Sequence, residues 1–354
     1  MKRNLVDNLL GNSFIHPAFD YLVIGGGLSL MLTLWLWVDR TSAEISINPA
    51  LLILPLFMNG AHFAASTVRL YAKKDFFNDY PFLTLGFPLV SLLFLTVSIA
   101  LSKFIGSHVL AFYLTWSPFH YAAQAYGLAC IYSHRSQCKI GEKERKLLWW
   151  SAMLPFVGAF IIGMNFGTGL GWLVSYQELA SVPLLKKYLM WLAYTFFVLG
   201  FVLPIGHLIH SQFTKERPIP LICTLMFFAN GVWWLFLAYL DAFVWATIFH
   251  GLQYLAIVLI YHVREKLNEP ENRHGWLFHS AKFYGICLLG AYALFNCWPY
   301  GYKWLGFNYA ESLLMIIAII NIHHFIVDGF IWRLRKKKVA SLKPRSGIAV
   351  EATT

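Results

Sequence analysis

Apolar runs of the length that a helix needs to cross a bilayer recur along this 354-residue sequence. A membrane span needs about 20 mostly apolar residues, and its backbone polar groups must be hydrogen-bonded within the helix. The pattern therefore predicts an all-α fold, a polytopic transmembrane helical bundle of about ten spans. The predicted spans are 20–39, 49–70, 82–103, 108–132, 147–165, 187–208, 219–240, 242–262, 279–297 and 309–332.

The composition agrees with a chain that lies largely in lipid. Apolar residues make up 58% of it and charged residues 13%, whereas soluble domains carry about 25% charge. We therefore expect a single transmembrane helical domain over residues 1–338. Within it, residues 1–19 are expected to form an interfacial helix, and residues 339–354 to form a flexible cytoplasmic tail.

The basic residues are distributed unevenly between the two sides of the predicted bundle. All of the Lys and Arg residues fall on the side that carries both termini, except Arg40, Lys103, Lys186, Lys187 and Lys303. The positive-inside rule then predicts cytoplasmic termini, as in a multi-pass protein of a prokaryotic inner (cytoplasmic) membrane. This bias accounts for the net charge of +11, so the expected partners are membrane lipids and a hydrophobic small molecule, and no nucleic acid.

Histidines occur deep within four of the predicted spans. His62, His120 and His250 lie inside three of them, and the adjacent pair His323 and His324 lies inside the last. These spans are all even-numbered and run in the same direction, so at about 1.5 Å per residue the histidines fall within roughly 10 Å of one depth. Ionisable groups at such depth usually face the bundle interior and mark a functional site.

This pattern predicts a shared metal site with His62, His120, His250, His323 and His324 as candidate ligands. A single buried histidine is often a core residue bonded to a neighbouring helix, but four at one depth favour a common centre. Adjacent helical residues point about 100° apart, so only one of His323 and His324 is expected to face the others. Asp328 lies four residues after His324, on the same helix face, and favours His324.

Polar residues accompany the histidines at helical spacing. A ligating histidine usually donates its second N–H to a carboxylate or an amide, which fixes the ring orientation. We therefore expect neighbouring polar groups to orient the ligands or hold the cofactor, and nearby acidic and phenolic groups to act in catalysis. The orienting candidates are Asn59, Gln124, Gln253 and Asp328, and the catalytic candidates are Asp328, Tyr254 and Tyr121.

The donor type and its surroundings favour redox chemistry. Neutral imidazoles suit iron, copper or zinc, and the apolar, aromatic surroundings favour a lipid-like or isoprenoid substrate reached through the membrane. We expect non-haem iron and an oxidation that uses O2, with haem held between facing imidazoles as an alternative. The sequence contains neither the HExxH motif of zinc hydrolases nor the HxxxH and HxxHH boxes of membrane di-iron desaturases.

Single histidines deep in several spans resemble the pattern of the Brp/Blh type of membrane carotenoid dioxygenase, which holds non-haem iron with four histidines. The resemblance is confined to the histidine positions quoted above. It implies oxidative chemistry on an isoprenoid or fatty chain.

Two other function classes use the same buried groups. A proton-coupled transporter also places titratable residues at the membrane midplane, and Asp328 and Glu311 are then the candidate proton carriers. An inverted repeat, which would favour transport, is not apparent in the sequence. A structural protein with buried polar packing is the third alternative.

Overall fold

The computed structural model describes residues 5–38, 53–72, 75–174, 178, 181–237 and 239–339. Within these ranges the chain is helical and contains no strand, which confirms the expected all-α fold. The main helices are α1 (Leu5–Leu10), α2 (Pro17–Ile24), α3 (Gly27–Val38), α4 (Ala61–Tyr71), α5 (Phe82–Ala100), α6 (Ser102–Arg135), α7 (Glu142–Phe166), α8 (Pro183–Thr214), α9 (Leu221–Phe236), α10 (Tyr239–Leu267), α11 (Trp276–Trp304) and α12 (Tyr309–Val339).

Six helices in the described part of the chain are long and apolar enough to cross a membrane. They are α5, α7, α8, α10, α11 and α12, and the bent pair α2 and α3 adds a seventh if it counts as one span. Length and composition thus indicate a multi-pass membrane protein. The expected number of ten spans and the cytoplasmic position of the termini stay predictions.

The three remaining predicted spans are not both long and apolar enough to cross a membrane as a single helix. Helix α6 has 34 residues, but polar side chains such as His120 and Gln124 interrupt its apolar sequence. Helix α9 has only 16 residues. The predicted span 49–70 is described from residue 53 and is broken, because a π-helical turn, Leu56–Gly60, precedes α4.

Helices α2 and α3 meet at a bend of 54°, and glycine makes this bend possible. Gly26 has φ +80°, a left-handed conformation that side chains disfavour. A Cβ atom at Gly26 would also lie 2.6 Å from the Cβ of Ala229 on α9. The glycine run Gly25-Gly26-Gly27 therefore lets the chain turn directly against α9.

Buried polar contacts hold the start of α2 and the segment before it against the bundle. Asp20 is fully buried and accepts hydrogen bonds from the Phe14 backbone N–H and from the Tyr132 hydroxyl, the latter at 2.7 Å. Arg135 and Arg264 donate to backbone carbonyls of the same segment, at 2.8 and 2.6 Å. Ser13 and Phe14 thus lie against the ends of α6 and α10. The interfacial helix expected over residues 1–19 stays a prediction, and 340–354 of the expected tail lie outside the described residues.

Four helices surround the centre of the molecule, and each carries one of the deep histidines. Helix α12 packs against α4, α5 and α6, and α10 packs against α4 and α9. The outward side chains of α5 and α8 are apolar and exposed, for example Leu89, Val90 and Val202. This distribution places the polar residues of α4, α6, α10 and α12 inside and apolar side chains towards the surroundings.

Candidate metal centre

Four histidines from four helices meet at one place. His62 is the second residue of α4, His120 lies two residues after Pro118 in α6, His250 lies in α10 and His324 in α12. Their exposed fractions are 0, 8, 2 and 1%. One ligand atom from each residue can be chosen so that all four lie within 4.8 Å of one another, so the cluster can hold a single metal ion.

The rings surround a common point and are not paired along one helix. The His62 ring centroid lies 4.2 Å from that of His324 and 4.8 Å from that of His250. The His120 centroid lies 4.8 Å from that of His250 and 5.1 Å from that of His324. Helices that are far apart in sequence thus contribute equally to the cluster.

Several ring nitrogens of the cluster are buried and have no hydrogen-bond partner among the described residues. These are Nδ1 of His62, Nε2 of His120 and both nitrogens of His250. A buried polar atom without a partner costs about 1–3 kcal/mol, so a cluster of them is costly unless something else satisfies it. A metal ion at the common point fits this donor set, because each neutral imidazole can give it a lone pair.

The contacts of Ser66 favour one tautomer of His324. The Ser66 hydroxyl lies 2.9 Å from the Phe63 carbonyl oxygen and 2.8 Å from Nδ1 of His324. When Ser66 donates to the carbonyl, it can accept a hydrogen bond from His324, which favours a hydrogen on Nδ1. In that tautomer the lone pair of His324 is on Nε2, the nitrogen 2.5 Å from Nε2 of His62.

Two imidazole nitrogens this close need a positive charge or a proton between them. In a tetrahedral site with bonds of about 2.0–2.1 Å, neighbouring ligand nitrogens lie about 3.3 Å apart. An ion here requires the His62 and His324 nitrogens to separate by less than about 1 Å from their 2.5 Å distance.

A carboxylate and a phenol lie beside the cluster. The Tyr254 ring stacks on His62 with a centroid distance of 4.3 Å, and its hydroxyl donates to Oδ1 of Asp328 at 2.6 Å. The other oxygen of Asp328 lies 3.5 Å from Nε2 of His324. Asp328 was expected to orient His324 through its distal nitrogen, but Ser66 takes that place and the carboxylate lies near the nitrogen that faces the cluster.

Two other predicted residues join α6 to α10 next to the cluster. The Tyr121 ring lies 4.5 Å from the His250 ring, and its hydroxyl is 2.9 Å from Oγ1 of Thr247. The Gln124 side-chain amide donates to the backbone carbonyl of His250 at 3.2 Å, and its Oε1 has no hydrogen-bond partner. The Gln124 amide thus binds the backbone that carries His250.

Three predicted residues have their described contacts away from the four-histidine cluster. Gln253 donates to the Ile24 carbonyl at 2.9 Å, next to the bend between α2 and α3. Asn59 lies in the π-helical turn that faces Gly251. The His323 ring stacks on Phe87 at 4.8 Å, so His324 supplies the ligand in this geometry.

Sequence analysis missed one contributor to the site. Ser66 follows His62 by four residues and so shares its helix face, a spacing that was visible in the sequence. Phe325, one of the aromatic residues expected around the site, stacks on His120 at 4.2 Å.

Fold and site together define a multi-pass helical membrane protein with a buried cluster of four histidines that can hold a metal ion. Comparison with known proteins gives no matching family model, no matching curated protein and no matching solved structure. Arguments about function therefore start from the geometry of the cluster.

Proposed function

We propose that this protein is a membrane-embedded oxidoreductase that uses iron, held by His62, His120, His250 and His324, to oxidise a hydrophobic substrate with O2. The substrate class is lipid-like or isoprenoid, and the location is a prokaryotic inner (cytoplasmic) membrane. The observation that carries the proposal is the convergence of four buried imidazoles, several of whose nitrogens have no hydrogen-bond partner in the described part of the chain.

The donor set supports iron over a haem group. Neutral imidazoles are suitable donors for non-haem iron, and Asp328 lies 3.5 Å from Nε2 of His324, next to the four candidate ligands. A haem needs a planar space between two facing imidazoles, whereas these four rings converge from four helices. Iron held here supplies the activation of O2.

The surrounding residues have separate roles in this proposal. Ser66 keeps the hydrogen of His324 on Nδ1, so that Nε2 can bind the ion. The short hydrogen bond between Tyr254 and Asp328 holds a proton next to the reacting centre. Phe63 and Phe325 pack against the cluster rings and exclude water from it.

A dioxygenase reaction satisfies the electron balance. When both atoms of O2 enter the substrate, as in the cleavage of a carbon–carbon double bond into two carbonyl groups, no external reductant is needed. The proposed enzyme then requires only its ion, O2 and the hydrophobic substrate.

Metal analysis of the purified protein tests the assignment. We expect about one iron per chain, bound without a Soret absorption band. His120→Ala should lose most of the iron, whereas His134→Ala should keep it, because His134 lies on the same helix but is exposed and outside the cluster. Equal iron content in the two variants contradicts the proposal.

Asp328→Asn separates catalysis from metal binding. The amide retains an acceptor for Tyr254 but cannot take up a proton, so we expect near-normal iron content and at least a ~100-fold loss of O2 uptake in the presence of a total lipid extract. Thr96→Val, at a residue that bonds Tyr302 away from the cluster, should keep both. Unchanged O2 uptake in Asp328→Asn argues against the catalytic role.

Proton-coupled transport is the second candidate, and the contact of Tyr254 with Asp328 beside His324 favours it. In liposomes, a transporter would show substrate-dependent proton flux without bound metal, and Asp328→Asn would abolish that flux. Stoichiometric iron with no proton flux supports the oxidoreductase instead.

A further inference from the structure

A cavity of about 180 Å³ lies directly beside the cluster, between α4, α5, α11 and α12. Its wall contains His324, one of the four clustered histidines, and Phe63, whose ring centroid is 5.1 Å from those of His62 and His324. The cavity therefore adjoins the cluster at His324, on the side of the bundle.

The cavity opens on an exposed apolar surface, which is the kind of surface that faces lipid. Leu92, which lines the cavity, is 44% exposed, and α5 around it exposes Leu89, Val90 and Leu93. Helix α5 is also one of the six helices long and apolar enough to cross a membrane. A molecule entering here comes from the hydrocarbon layer.

The lining is mostly apolar and the volume is small. Pro88, Leu92 and Leu95 follow one face of α5, opposite Ile319 and Ile320 of α12. An apolar cavity of about 150 Å³ accommodates a benzene-sized molecule. There is thus room for the end of a chain or a single ring, but not for a whole lipid.

We infer that this cavity is the substrate pocket, and that it takes the apolar end of a membrane lipid's chain from the bilayer while the polar head stays outside. The inference rests on the proposed function, because it presents the chain end to His324. It also predicts that oxidation occurs within about six carbons of the apolar end, given the cavity size.

Photolabelling in lipid nanodiscs tests the inference without knowledge of the natural substrate. We use two palmitic acid probes, one with a diazirine near the methyl end and one with a diazirine near the carboxylate. The methyl-end probe should label peptides that contain Leu92 or Ile320 at least ~10-fold more than the other probe, because only the chain end fits a cavity of this size. Equal labelling by the two probes overturns the inference.

A variant that fills the cavity can be compared with a variant that adds the same side chain outside it. Ser91→Trp places a large ring in the cavity and should remove the labelling, whereas Leu93→Trp, on the exposed side of the same helix, should leave it. Ser91→Leu serves as a milder replacement if Ser91→Trp does not fold. Labelling that persists in a folded Ser91 variant counts against the pocket.

Metal content distinguishes this inference from the proposed function. Labelling by the methyl-end probe is expected in both iron-loaded and chelator-treated protein, because the cavity walls contain little of the cluster. Labelled protein that never binds iron upholds the pocket and refutes the oxidoreductase. Iron-loaded protein without selective labelling refutes the pocket alone.

Discussion

His324 shows how one side chain is selected from two adjacent histidines. The sequence favoured it because Asp328 follows four residues later on the same face. In the structure its distal nitrogen is hydrogen-bonded to Ser66 of α4, and Asp328 lies near the nitrogen that faces the cluster. The residue expected as the ligand lies in the cluster, but the contact that orients it comes from another helix, which spacing along α12 does not reveal.

Ser66→Ala tests the orienting contact. Loss of the hydroxyl leaves Nδ1 of His324 without its acceptor, so the ring no longer favours the tautomer that binds metal. We expect metal affinity to fall by about 10–100-fold, measured by competition with a chelator.

Ser151→Ala is the matched control for Ser66→Ala. Ser151 is also buried, but it bonds only to the Leu147 carbonyl of its own helix, far in sequence from the cluster. Similar affinities for the two alanine variants would show that the contact between Ser66 and His324 does not orient the ligand.

At the scale of the helices, close packing between α10 and the π-helical turn before α4 brings His250 and His62 together. A Cβ atom at Gly251 would lie 3.0 Å from the Met58 carbonyl oxygen and 3.2 Å from Cα of Asn59. These neighbours are backbone atoms, which cannot move aside as a flexible side chain can. A side chain at position 251 would therefore force these two histidine-bearing elements to shift apart.

Gly251→Val should push the turn away from α10 and separate the ligands. Overpacking of this kind costs about 1–3 kcal/mol, so we expect a lower melting temperature in detergent together with weaker metal binding. Gly127→Val is the control, because a Cβ at Gly127 meets nothing within 4 Å. A Gly251→Val protein as stable and as well loaded as Gly127→Val would contradict this account of the packing.

The number of membrane crossings belongs to the molecule as a whole. The apolar runs predict ten spans and the charge bias places both termini in the cytoplasm. Helix length and composition in the structure single out six helices, or seven with the bent pair. The difference comes from a broken helix, a short helix and a long helix with polar residues, and two of these three, α4 and α6, carry histidines of the cluster. The break before α4 and the polar residues of α6 thus occur in helices that carry the four-histidine cluster.

Reporter fusions test the predicted topology. A fluorescent protein that folds only in the cytoplasm should be bright when fused after Thr354, and alkaline phosphatase should be active when fused after Lys186. The expectation follows from the excess of Lys and Arg on the side of both termini. Active phosphatase at Thr354 would show that the orientation is opposite to the predicted one. Inactive phosphatase at both positions would show that the predicted number of spans is wrong.

The sequence by itself determined the helical class, the membrane character and five candidate histidines, because hydropathy and depth along a helix depend on local sequence. The tertiary structure decided which nitrogens face one another, that Ser66 supports His324, that Gln253 binds the bend between α2 and α3, and that a cavity reaches the cluster between α5 and α12. These features depend on how separate helices rotate and pack together. Spacing within one helix fixes which residues share a face, but only packing decides what that face contacts.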